Sequence, residues 1–138
     1  MMRLNSAGLR VNGTFVSSSD RNQKEAFAPV EPREVLEKVA ALPLSEWNYK
    51  QDPTSRHIGP MAQDFHAAFG VGPDDRHIAT VDADGVALAA IQGLNQKVEE
   101  QATALREREA QIARLESELS ELRSLVLRSF NPPAARQP

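Results

Sequence analysis

The run Ser17-Ser18-Ser19-Asp20-Arg21-Asn22-Gln23-Lys24 holds the residue types with the most scope for chemistry in this chain. A serine hydroxyl is a weak nucleophile until a neighbour takes its proton, and a lysine amine takes it only when neutral. In water a lysine keeps its proton up to about pH 10.4, so burial or a nearby cation has to favour the amine. Ser19 and Lys24 are five apart in sequence, a spacing that does not align two side chains on one helix face. A bend between them is required, and Asn22 is the residue there that best tolerates unusual backbone angles. The same run also reads as a plain polar loop in which a serine or Asp20 caps a short turn. On spacing alone both readings stand.

Other candidate chemistry is thinner. His57, His66 and His77 fall at a predicted helix start, within a helix and at a strand start, with no His-x-x-x-His pair, so no metal and no cofactor are expected. His66 is expected to be solvated, and His57, beside Ile58-Gly59, to be a buried, hydrogen-bonding residue. Asp82-Ala83-Asp84-Gly85 begins like a calcium loop but lacks its third ligand and later glutamate, which favours a turn. No glycine-rich phosphate loop is present. Trp47 and Tyr49 stand without a basic cluster and read as core residues.

Composition narrows the classes further. The chain has 138 residues, 16 basic against 19 acidic side chains, 41% hydrophobic and 25% charged residues, and no cysteine. A near-balanced charge lacks the basic footprint of a phosphate-backbone binder, so no nucleic acid is expected. The absence of cysteine removes disulfide scaffolds and thiolate sites together. The longest apolar run, Val86 to Ile91, falls far short of the ~20 residues of a membrane span. The first residues turn polar at once, so neither membrane insertion nor a secretory signal is expected.

The elements that must position these residues differ along the chain. Leu9 to Val16 reads as two β-prone runs around Asn12-Gly13, a type I′ hairpin signal. Glu31-Pro32-Arg33-Glu34 opens a helix striped by Val35, Leu36, Val39 and Leu42 and stopped at Pro43. Leu44 to Tyr49 alternates as a strand, with Trp47 and Tyr49 on one face. Gly59-Pro60 begins a second helix, carrying Met61, Phe65, Ala68 and Phe69 and capped by Gly70. His77 to Val81 reads as a strand, followed by a turn at Asp84-Gly85.

From Val86 to about Phe130 no proline intervenes. With Ile91 at a, the a series is Ile91, Val98, Leu105, Ile112, Leu119 and Val126, all apolar. The d series is Leu94, Gln101, Arg108, Leu115, Leu122 and Ser129. This is a coiled-coil pattern, and its apolar members form the expected seam. A helix of about 40 residues is some 60 Å long at ~1.5 Å per residue, too long for a small domain to cover, so partner helices are needed. The last residues, 131–138, read as a helix stop and a disordered tail.

The motifs together resemble a known family. Ser-Asp-Arg-Asn-x-Lys at 19–24 precedes Val-Leu-x-Lys-Val-x-x-Leu-Pro at 35–43 and Trp-x-Tyr at 47–49. His-Ile-Gly-Pro-Met-Ala-Gln-Asp-Phe at 57–65, Gly-Val-Ala-Leu-Ala-Ala-Ile-Gln at 85–92 and the heptads follow. This order resembles the endosialidase-type intramolecular chaperone, the self-cleaving C-terminal domain of phage tail spikes and tail fibres. Many members read Ser-Asp-x-Arg-x-Lys, whereas here the arginine comes one place earlier, at Arg21.

The resemblance implies a homotrimer that helps three upstream fibre or spike chains find register, then cuts itself away. It implies Ser19 as nucleophile, Lys24 as its base, and cleavage at Ser18–Ser19. It also makes His57, in the matching His-x-Gly-x-x-Ala-Gln stretch, a candidate for orienting the site. The implied setting is a phage tail protein, virion- or prophage-encoded and made in the bacterial cytoplasm, without a small-molecule ligand.

The expected architecture is α+β: a small mixed domain with short strands and two helices, then a long C-terminal helix in a trimeric coiled coil. Its expected parts are an upstream stub with a hairpin at 1–18, the self-cleaving chaperone domain at 19–93, the coiled-coil helix at 94–130 and the tail at 131–138. The competing readings are a non-cleaving trimerisation domain of a tail fibre with an idle dyad, and a generic coiled-coil interaction module.

Overall fold

A computed structural model describes residues 2–5 and 8–130. The chain is α+β, as expected, with two-stranded antiparallel sheets, short helices and one long C-terminal helix. It divides into two units, Met1–Leu94 and Asn95–Pro138. The expected tail at 131–138 lies outside the described residues.

In the first unit, strands β1 (Met2–Asn5) and β2 (Gly8–Val11) pair antiparallel, Met2 opposite Val11 and Asn5 opposite Gly8. The pairing therefore precedes Asn12-Gly13, which forms a bend after β2 in place of the expected turn. Gly13 still takes a φ of 141°, a region that only glycine enters cheaply. Phe15 and Val16, the expected second strand, are exposed and outside any sheet. β-prone residues form a strand only where a neighbouring edge offers hydrogen bonds, and here β1 has taken that edge.

Helix α1 (Pro32–Ala41) begins with proline at its first turn and ends before Pro43, as the sequence predicts. Proline costs nothing there, because a first-turn N–H has no intrahelical partner. Strand β3 (Ser45–Tyr49) pairs with β4 (Asp52–Gly59), Trp47 opposite His57 and Tyr49 opposite Asp52, with the register shifting between Trp47 and Tyr49. β4 is not evident in the sequence, since Asp52-Pro53-Thr54-Ser55-Arg56 has a turn's composition. Asp52 holds its start: its carboxylate accepts from the hydroxyls of Thr54 at 2.8 Å and Ser55 at 2.6 Å. His57 consequently lies in a strand, not at a helix start.

Helix α2 (Ala62–Phe69) stops at Gly70, whose φ of 63° and N–H bond to the His66 carbonyl make the expected left-handed cap. His66 is half-buried, and its ring also makes a local contact. Its ring Nδ1 lies 3.2 Å from the Val71 carbonyl oxygen, which accepts from it and fixes the chain leaving the cap. Phe65, 5% exposed, packs its ring 4.9 Å from that of Phe69.

Helix α3 (Thr80–Phe130) starts earlier than the heptads suggest. His77–Ala79 is not a strand, and Asp84-Gly85 is not a turn but lies within the helix. The Ala79 carbonyl accepts from the N–H groups of Asp82 and Ala83 and so begins the helix. A single internal glycine costs only about 1 kcal/mol, which a long helix absorbs. Gly93, buried, sits against α1: a Cβ there would overlap the Pro32 carbonyl oxygen and lie 3.1 Å from Leu36 Cβ. Its absent side chain is what lets the two helices meet.

Candidate functional site

The reactive run is built by one short turn. A 3-10 turn at Arg21–Gln23 follows Asp20, whose carboxylate Oδ1 accepts from the Asn22 backbone N–H at 3.0 Å and from Asn22 Nδ2 at 3.0 Å. The N–H groups of Gln23 and Lys24 bond to the carbonyls of Asp20 and Arg21. An aspartate at this position satisfies donors that the start of a helical turn leaves open. Of the two readings of this run, the capped turn is therefore present, with Asp20 as the cap.

That turn also supplies the bend that the Ser19–Lys24 spacing requires. Lys24 Nζ donates to Ser19 Oγ at 2.7 Å. Asn22 lies in the turn itself, and the residue with a left-handed backbone is Ala26, at φ 54°. Beyond it, Phe27 offers its ring face to the Arg21 guanidinium, 5.4 Å from the centroid. A cation over an aromatic face is attracted by the ring quadrupole. The displaced arginine of the motif thus braces the chain that leaves the turn.

A second contact runs beside the first. Ser18 Oγ donates to Gln23 Oε1 at 2.8 Å, so two consecutive residues reach back to two consecutive serines. The sequence contains the signal for this, the repeated spacing of five, but a glutamine among polar neighbours does not attract notice. Both serines, Gln23 and Lys24 are exposed in the single chain.

His57 is exposed rather than buried as expected, because it lies on a two-stranded sheet whose face is open to solvent. Its ring stacks on Trp47, with centroids 4.7 Å apart and planes 29° apart, and meets the Tyr49 ring edge-on at 5.5 Å. Trp47 and Tyr49 share one face, as the alternation predicts, 5.0 Å apart. Tyr49 is nevertheless 58% exposed rather than core, and Trp47 is half-buried. The Trp47 indole Nε1 is buried and, among the described residues, has no hydrogen-bond partner. No hydrogen bond among the described residues joins His57 to Ser19 or Lys24.

The nine expected seam residues all lie on α3. They are between 51% (Leu94) and 62% (Ile91) exposed: Leu94, Ile91, Val98, Leu105, Ile112, Leu115, Leu119, Leu122 and Val126. Apolar surface left in water along such a stripe is costly at roughly 25 cal/mol per Å². No helix among the described residues is long and apolar enough to cross a membrane.

Residues 19–71 match the family model described as chaperone of endosialidase. The matched segment begins at Ser19 and ends just after the Gly70 cap of α2. The match bears out, over those residues, the resemblance carried by the motifs from Ser19 to Phe65. No curated protein matches the chain.

Proposed function

We propose that this chain is a C-terminal intramolecular chaperone that trimerises through α3, assists folding of an upstream tail-fibre or spike region, and cuts itself at Ser18–Ser19. The observation that carries the cutting is the 2.7 Å contact between Lys24 Nζ and Ser19 Oγ, made by a capped turn at the start of the matched segment. Assembly is supported by the exposed stripe of α3, whose heptads suit helix partners.

The chemistry balances within the chain and one water. Neutral Lys24 takes the Ser19 hydroxyl proton as Oγ attacks the Ser18 carbonyl carbon. The Ser18–Ser19 C–N bond breaks, and Lys24 returns the proton to the departing Ser19 amine. This N→O acyl shift leaves an ester between the Ser18 carbonyl and Ser19 Oγ. Water hydrolyses it to a Ser18 carboxylate and a free Ser19 hydroxyl. The substrate is the enzyme's own chain, so turnover is single.

Lysine is a base only without its proton, and in this reading trimer assembly over the turn would exclude water from the Ser19–Lys24 contact, coupling the cut to completed assembly. His57 takes no proton in this scheme.

Intact mass of the purified chain tests the reading. The expected species lacks residues 1–18, and Ser19→Ala retains them with assembly and thermal stability nearly unchanged. Release at the same bond from Ser19→Ala removes Ser19 as nucleophile. A parent that forms stable trimers but stays intact supports the non-cleaving trimerisation domain instead.

A further inference from the structure

The peptide to be cut is flanked by two parallel contacts, and only one of them belongs to the dyad. Lys24 reaches Ser19 on the amine side of the bond, and Gln23 accepts the Ser18 hydroxyl on its acyl side. Both contacts span five residues and both depend on the turn at Arg21–Gln23.

We infer that Gln23 is a positioning residue that selects a hydroxyl-bearing residue immediately before the nucleophile, gripping Ser18 so that its carbonyl is presented to Ser19. This rests on the self-cleavage proposed above. The carbonyl carbon under attack belongs to Ser18, and rotation about that residue's backbone aims the carbonyl toward or away from Ser19 Oγ. A hydrogen bond from the Ser18 side chain ties that rotation to the turn. Because Gln23 and Lys24 are adjacent in the chain, a single turn sets both the base and the acyl group. Misplacing a reacting group by about 1 Å can cost on the order of 100-fold in rate, so such a tether has a measurable effect.

After the cut, Ser18 is the last residue of the upstream product while Gln23 remains on the chaperone. In the ester that precedes release, the same bond holds the Ser18 acyl group in place for the water that hydrolyses it. Gln23 touches neither the attacking oxygen nor the departing amine, so its influence passes through Ser18.

The test is the rate of release of residues 1–18 by the full chain on refolding, followed by mass. Gln23→Leu keeps the volume and removes the acceptor, and stub release is expected to slow about tenfold, the scale of one hydrogen bond. Ser18→Val should slow release by a similar factor, while Ser18→Thr, which keeps the hydroxyl, should cut near the parent rate. Combining Gln23→Leu with Ser18→Val should add nothing to either change alone, because both remove the same bond. Gln23→Glu, which still accepts from Ser18, should recover most of the rate lost in Gln23→Leu.

Thermal melts in the Ser19→Ala background separate a folding defect from a positioning one, with equal melting temperatures expected. If the parent cuts and Gln23→Leu cuts equally fast, this inference fails alone. It also fails if the effects of Gln23→Leu and Ser18→Val multiply independently. A parent chain that releases no stub overturns the inference and the self-cleavage reading together.

Discussion

The turn at 18–24 and the helix from Asn95 to Phe130 are both built from local interactions, yet they are finished to different degrees in one chain. In the turn, the side-chain contacts span two to five residues, and reactive groups already touch: Lys24 meets Ser19, Gln23 meets Ser18, and Asp20 caps the backbone. In the helix, local bonds such as Arg114–Glu118 at 2.8 Å and Asn95–Glu99 at 2.9 Å occupy the polar faces. Among the described residues nothing covers the apolar face, with Ile112 and Leu115 each 55% exposed. Hydrogen bonds between near neighbours need no partner chain, whereas a stripe of leucine and isoleucine is stabilised only when something removes it from water. The Lys24–Ser19 contact is therefore made within the single chain, and in the proposed reading assembly would add cover and exclusion of water.

The largest effect expected from this contrast is at the seam. Ile112→Asp would place an unpaired carboxylate in each helix of the assembled stripe, at a cost of several kcal/mol per charge. In an isolated, exposed helix the same change costs only a few tenths. Sedimentation equilibrium should show dissociation of the trimer, and a parent that is already monomeric at micromolar concentration would break the comparison.

Next in size is the base. Lys24→Arg keeps the positive charge but cannot become neutral in the working range, so it should assemble and lose at least about 100-fold in cutting rate. An arginine variant cutting at the parent rate would leave Ser19 with a different base.

Two glycines of α3 provide a matched pair of smaller effects. Gly93→Ala puts a methyl group 2.7 Å from the Pro32 carbonyl carbon, and overpacking of this kind costs about 1–3 kcal/mol. Gly85→Ala meets nothing within 4 Å and gains helix propensity, about 0.5–1 kcal/mol. Thermal melts of the Ser19→Ala background should therefore move in opposite directions. Equal shifts would mean that the Gly93–Pro32 approach does not limit the packing of α1 on α3.

The smallest effect is at Asp52. Hydrogen bonds from Ser55 and Thr54 hold its carboxyl below the ordinary aspartate value. Its contribution is therefore present above the unfolded value and lost as pH falls through the lower folded one. Asp52→Ala should flatten that part of the acid-stability profile and leave the neutral-pH assembly intact.

Patterns set by near neighbours were legible in the residues alone. The stripe from Ile91 to Val126, the proline start of α1, the glycine stop of α2 and the shared face of Trp47 and Tyr49 all follow from spacing, because helix and strand periods place side chains without outside help. Asp20 was legible as one of the possible caps of its turn, and Ser19 and Lys24 as a pair needing a bend. The structure decided matters that depend on what lies opposite. The polar segment Asp52–Gly59 became a strand because β3 offered an edge. His77–Val81, though β-prone, found no edge among the described strands and gave way to helix α3. Gly93 matters because the Pro32 carbonyl stands over it, and Gln23 because the returning turn lays it beside Ser18. Local periodicity is written in each segment, but a hydrogen-bonding edge or a close backbone approach is a property of two segments at once, and only the fold brings them together.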